Sequence, residues 1–181
     1  MEKKINIAKS FLENNNYFIC PYCKEKLSIK DNSLICQNNH CYDISKKGIV
    51  NLINTGKLNP SDIYDTKLFI SRRNFILKNY YKKIYEIISE YINKLDKQNI
   101  NVLDLGCGDG THSIKILNIL NKEYKYFGFD YSKDAINLAS DYLDNNKIFF
   151  LADVNNIPIN NKHDVIIDFL SPYNTTEIKR L

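Results

Sequence analysis

The sequence has no tryptophan, one methionine, four prolines and six glycines, and none of its apolar runs approaches the length of a membrane span. Its first twenty residues are polar with scattered lysines, so no signal peptide is expected, and the reading is of a cytoplasmic protein with no membrane partner. Cysteine is sparse too: five in 181 residues, of which four crowd between Cys20 and Cys41. In a reducing compartment that distribution excludes a disulfide framework and favours metal binding. Neither sign of charge dominates, since the net charge is only +4. All of that excess lies in residues 1–60, which hold nine lysines against five acids, while residues 61–181 hold sixteen of each. A cationic front beside a neutral body suits a polyanion such as RNA, although a solvated lysine-rich surface gives the same count. Internal repeats are absent.

What is present is ordinary globular composition, 44% hydrophobic and 25% charged, enough for one domain or a small module plus a modest one. Residues 1–16 are predicted to hold a short helix that the Asn14-Asn15-Asn16 run breaks. Over 17–53, short apolar pieces (Tyr17-Phe18-Ile19, Leu27-Ser28-Ile29, Ser33-Leu34-Ile35) alternate with turn residues and predict a small β-ribbon that cannot build a core unaided. Residues 54–65, with Gly56, Pro60 and Ser61, read as a linker. The remainder, 66–181, opens with two helical stretches, at about 66–77 and over an apolar stripe from Ile84 to Leu95. It then alternates strands at 101–106, 125–130, 147–151 and 164–170 with helices at about 111–121 and 132–143. Alternation of that kind is the signature of a parallel α/β sheet with crossover helices.

Two constellations carry chemistry. In the first, Cys20-Pro21-Tyr22-Cys23 is followed after twelve residues by Cys36, with His40 beyond it. Three thiolates and an imidazole complete a tetrahedral structural zinc site on Cys20, Cys23, Cys36 and His40, with Cys41 the rival fourth ligand. In the second, a strand runs into Asp104-Leu105-Gly106-Cys107-Gly108-Asp109-Gly110. The spacing GxGxG differs from the dinucleotide fingerprint, and an acid two residues before the first glycine would repel a pyrophosphate while attracting the cationic S-adenosylmethionine. Asp130 ends the next strand, where an acid meets ribose hydroxyls, and Asp153 follows the third, within reach of an adenine amino group. Thr111, His112 and Ser113 open the helix after the glycine turn, near the methionine end. Either acid alone reads equally well as a helix cap, and His112 reads more readily as a surface helix residue than as a cofactor contact. Cys107 is read as packing and His163 as a loop residue, so no covalent nucleophile is assigned.

The run Cys20-Pro21-Tyr22-Cys23, Cys36 to His40 and Tyr42-Asp43-Ile44-Ser45-Lys46-Lys47-Gly48-Ile49-Val50-Asn51-Leu52-Ile53 resembles the zinc ribbon of bacterial 23S rRNA (guanine-N1)-methyltransferases. Arg72-Arg73-Asn74-Phe75 and Tyr80-Tyr81 resemble the helix before their class I methyltransferase domain, and Asp104 to Gly110 their cofactor loop. The resemblance implies a Rossmann-like α/β fold behind the ribbon, a structural zinc, 23S rRNA as partner and methylation of a guanine ring nitrogen. The resemblance implies cofactor contacts from Tyr81, His112 and Ser113, which join Asp104, Gly106, Gly108, Asp130 and Asp153 as the candidate cofactor residues; Asp168, Ser171 and Tyr173 stand where the target base arrives, and no residue is assigned as base. The family continues past the segment resembling Ser171 to Leu181, so the fold is expected to be cut after its fourth strand, with impaired activity. A second polypeptide or self-association would then complete the sheet. An inactive RNA-binding fragment and a small-molecule methyltransferase are the alternatives.

Overall fold

The structure is a computed structural model that describes residues 3–14, 17–53, 65–160 and 163–181. Most of the expected linker, residues 54–64, lies outside the described residues. Helix α1 (Lys4–Glu13) turns Ala8, Phe11 and Leu12 inward, a stripe at i, i+3 and i+4. Three short strands, β1 (Ser28–Lys30), β2 (Ser33–Ile35) and β3 (Cys41–Asp43), form an antiparallel meander in that order. Tyr17-Phe18-Ile19 does not join it as expected. That segment makes only isolated bridges, Phe18 to Ile159 and Ile19 to Lys26, because its rings are drawn into the body of the protein. Tyr17 meets Phe127 edge-on at 4.9 Å and Phe18 meets Phe150 at 5.0 Å.

Helix α2 (Thr66–Leu77) begins where Asp65 accepts a hydrogen bond from the Leu68 amide, an N-cap. Helix α3 (Lys82–Asn93) buries Tyr85, Ser89 and Ile92 on one face. A parallel sheet follows, with strands β5 (Asn99–Leu105), β6 (Glu123–Asp130), β7 (Lys147–Leu151) and β8 (Val165–Asp168). Helices α4 (Thr111–Leu117) and α5 (Lys133–Ala139) are its crossovers, and α6 (Thr175–Arg180) closes the chain. Leu103, Leu105, Phe127, Phe129, Phe149 and Phe150 are fully buried, as near-continuous apolar runs require when both faces of a parallel sheet are covered.

The sheet has one strand more than the sequence suggested. Strand β4 (Val50–Asn51), at the end of the ribbon, pairs parallel with β7, and the order becomes β4-β7-β6-β5-β8. The Leu52 amide extends that pairing to the Leu151 carbonyl at 2.8 Å. Two residues carry too little periodicity to announce a strand, and the parallel partner lies a hundred positions away. At the opposite end β8 stops at Asp168 rather than at 170, because Leu170 takes φ 61° and turns Ser171 back over the sheet. The Ser171 hydroxyl then reaches the Leu105 carbonyl and the Asp168 carboxylate. Among the described residues no helix is long and apolar enough to cross a membrane.

Candidate metal centre and cofactor crevice

Two tight turns bring the ribbon's ligands together. In the first the Lys24 amide returns to the Cys20 carbonyl at 2.9 Å, and in the second the Asn39 amide returns to the Cys36 carbonyl at 2.9 Å. Cys20, Cys23, Cys36 and His40 converge so that their donor atoms all lie within 4.8 Å of one another. A tetrahedron built on bonds of roughly 2.3 Å to sulfur and 2.0 Å to nitrogen has edges of about 3.8 Å between sulfurs and about 3.5 Å from sulfur to nitrogen. Three of the six edges match those values: Cys23 Sγ to Cys36 Sγ is 3.7 Å, and His40 Nδ1 stands 3.5 Å from Cys20 Sγ and 3.4 Å from Cys36 Sγ. The residues fit zinc. Cys41, the rival, is exposed and turned away, with its sulfur 4.0 Å from the Asp43 carboxylate. A partner the sequence did not flag is Tyr42, whose hydroxyl sits 3.1 Å from Cys20 Sγ. Burial, reinforced by the cysteine sulfurs, pushes that phenol well above its usual range, so it keeps its proton and donates to the thiolate.

The glycine turn leaves the carboxyl end of β5 and is held from three sides. Gly106, Gly108 and Gly110 take φ of 63°, 57° and 78°, a region in which a side chain is strained. A Cβ on Gly106 would also stand 2.5 Å from that of Ser171. Behind the turn, Cys107 donates its amide to the Phe129 carbonyl at 2.8 Å, and Gly108 donates to Asp130 Oδ2 at 2.9 Å. The other oxygen of Asp130 accepts from the Ser132 amide at 2.7 Å. Asp130 thus ties the end of β6 to the turn; burial raises its pKa, and the hydrogen bonds from Ser132 and Gly108 oppose the rise.

Asp104 and Ser113 lie beneath this turn. Asp104 is 1% exposed and accepts from the Ser113 hydroxyl and, at 2.6 Å, from the Tyr126 hydroxyl. Burial lifts its pKa to about 7 against the pull of those two donors, so near neutrality it carries only part of a charge. Its placement braces β5, β6 and α4 from within. Cys107 is buried with its thiol pKa raised by that burial, which leaves it inert, in agreement with its reading as packing.

A partly buried ion pair that sequence reasoning missed secures the turn's far side. The Arg73 Nε, on α2, stands 2.6 Å from the Asp109 carboxylate, and the same guanidinium reaches the Leu138 carbonyl at 3.1 Å and lies over the Tyr142 ring. Asp109 accepts in addition from the amide and hydroxyl of Thr111, fixing the start of α4. Arg73 and Asp109 both stood inside quoted motifs, but only the tertiary fold pairs residues 36 positions apart.

His112 faces away from Asp104 into an aromatic cluster with Tyr81, Tyr85 and Phe169. Its ring lies 4.5 Å from Phe169 and 5.1 Å from Tyr81, with Nδ1 2.6 Å from the Tyr85 hydroxyl. Burial lowers the His112 pKa and raises that of Tyr85 to about 12, so a protonated phenol faces a neutral imidazole. Asp153 follows β7 in a tight turn, accepting from the Asn155 amide at 2.8 Å while its carbonyl accepts from the Asn156 amide at 2.9 Å. His163 lies outside any helix or strand, and its ring packs edge-on against Phe127 at 5.2 Å.

Comparison with known proteins agrees with both halves. Residues 18–56 match the zinc-ribbon family described as RlmA, N-terminal, and residues 96–179 match a methyltransferase domain family. The 23S rRNA (guanine(748)-N(1))-methyltransferase of Streptomyces fradiae is 25% identical over 126 residues, which is 68% of this chain and 44% of the relative. The chain therefore spans less than half the length of that curated relative. A solved structure from Methanococcus maripaludis, assigned as an S-adenosyl-L-methionine-dependent methyltransferase, is 25% identical with a TM-score of 0.53, over 69% of this chain and 60% of that one. In chain order, then, residues 18–56 are similar to an RlmA-type zinc ribbon and residues 96–179 to a methyltransferase domain.

Proposed function

We propose that this chain takes part in S-adenosylmethionine-dependent methylation of a guanine ring nitrogen in 23S rRNA, with the ribbon contacting the RNA. One observation carries the cofactor half. Strands β5, β6 and β7 are parallel neighbours, so the glycine turn, Asp130 and Asp153 stand side by side along one carboxyl edge of the sheet. That edge is where open α/β sheets bind ligands. Bound there, the cofactor supplies an electrophilic methyl group on a sulfonium.

The chain's own residues then divide the remaining work. Gly106 and Gly108 let the backbone approach without side chains, and Asp130 accepts from ribose hydroxyls with lone pairs left over from its two amide bonds. Asp153 receives the adenine amino group. Tyr81 and His112, with Phe169 against them, wall the methionine end and exclude water, while Asp104 and Ser113 act from beneath by holding the turn. Asp168, Ser171 and Tyr173 lie where the β8 end turns over the glycine turn, and they position the acceptor base; none is assigned as its base. In the ribbon, Cys20, Cys23, Cys36 and His40 hold zinc, and the surplus lysines of residues 1–60 supply sequence-independent affinity for phosphate.

The test is methyl transfer from labelled S-adenosylmethionine to unmodified 23S rRNA, followed by nuclease digestion and identification of the labelled nucleoside. Label in a ring-methylated guanosine is the expected result. RNA that binds but acquires no label would instead favour an RNA-binding module, and label that survives nuclease in a small product would favour a small-molecule enzyme.

A further inference from the structure

Beside the backbone pairing of β4 with β7, one side chain links the zinc knuckle to the cofactor edge. Asn156 lies three residues beyond Asp153, and its amide grips the first zinc knuckle at both ends. Its Nδ2 donates to the Pro21 carbonyl at 3.0 Å, and its Oδ1 accepts from the Lys24 ammonium. Pro21 and Lys24 flank Tyr22-Cys23, and the Lys24 amide closes the same knuckle onto the Cys20 carbonyl. Toward the sheet, the Asn156 amide closes the Asp153 turn at 2.9 Å, and the Ala152 amide ties that turn to the Asp130 carbonyl at 3.2 Å. Hydrogen bonds and short stretches of backbone thus link the Cys20 knuckle to the main chain of both acids, Asp153 and Asp130.

We infer that Asn156 is a positioning residue that couples zinc loading of the ribbon to donor binding at the Asp130 and Asp153 edge. The inference deepens the proposed function and rests on its assignment of both sites. With the knuckle closed on metal, Pro21 and Lys24 are held at fixed positions and Asn156 is locked between them. With the knuckle open, the Asp153 turn loses the Asn156 clamp and relies on the Ala152 bond to Asp130 and on the start of α6, where Glu177 accepts from the Ile157 amide at 2.8 Å and the N-cap Asn174 donates to Asn155 at 3.0 Å. Ligation lowers the cost of ordering the turn, and an occupied crevice in return stabilises the closed knuckle. Coupling of this kind is reciprocal, so it is measurable from the metal side without any turnover.

The experiment follows the rate at which a chromogenic chelator withdraws zinc from the holoprotein, with and without saturating S-adenosylhomocysteine. In the parent chain the ligand is expected to slow release about fivefold. In Asn156→Ala, with S-adenosylhomocysteine binding checked by calorimetry at raised concentration, it should leave the rate unchanged. Asn156→Asp, which keeps the Lys24 contact, should retain part of the effect. Lys24→Ala removes one arm from an exposed position and serves if the Asn156→Ala chain does not fold. Equal slowing in Asn156→Ala and the parent, or a parent that binds both ligands and shows no slowing, overturns the inference. A parent that binds no zinc or no S-adenosylhomocysteine overturns the functional reading beneath it.

Discussion

The ribbon and the sheet body solve the same problem by different means. The body buries long aromatic strands: β5 and β6 pair over seven residues, and their neighbours fill both faces. The ribbon has strands of three residues and pins its turns through four ligands. Yet it is not a bead on a string. Phe11, Tyr17 and Phe18 leave the ribbon side to pack on Phe127 and Phe150, and β4 enters the body's own sheet. The difference teaches that metal fixes the ribbon's tip while apolar contact fixes its base, so the two regions share one core although their sequence signals are unrelated.

Removing zinc is the most forceful way to break that comparison. Chelation, or Cys20→Ala, is expected to unravel the tip and withdraw a contribution on the order of 10 kcal/mol. Thermal melts followed by circular dichroism check it. Should the chelated chain melt at the same temperature, the apolar base alone would be sufficient for the ribbon.

On the body side, Arg73→Ala strands the Asp109 carboxylate, which is nearly buried and loses its guanidinium. The expected cost is about 3 kcal/mol in urea unfolding, because an uncompensated buried charge remains. A loss well under about 1 kcal/mol would mean that the amide and hydroxyl of Thr111 are partners enough.

A pH-dependent effect, at most about 1.4 kcal/mol for each pH unit, sharpens the electrostatics beneath the turn. Asp104 titrates near 7 when folded against 3.8 as its reference, so between those values the folded chain retains a proton that the unfolded chain has lost. Stability from this group therefore falls as pH rises from about 4 to about 7, at a slope of up to about 1.4 kcal/mol per pH unit. Asp104→Asn should flatten that part of a stability profile measured by urea unfolding at a series of pH values. An unchanged slope would assign the pH dependence elsewhere.

The smallest expected effect is none. Cys41 is exposed and outside the cluster, so Cys41→Ser should still bind one zinc per chain by elemental analysis. Loss of the metal would return Cys41 to the ligand set.

Local chemistry by itself determined a good deal of this protein. The Cys20-to-His40 spacing announced a metal centre, the glycine turn announced the end of a strand, and α2, β2 and β7 fall on their expected residues, because ligand type, φ preference and hydrophobic period act over a few positions. Asp130 and Asp153 were legible for the same reason, as acids at strand ends. Tertiary structure alone decided what depends on pairs far apart in the chain: β4 beside β7, Arg73 against Asp109, Tyr126 under Asp104, Tyr42 on Cys20, and Asn156 between the knuckle and the crevice. None of these follows from periodicity, since each exists only once packing has brought segments far apart in the chain together and given their polar groups partners.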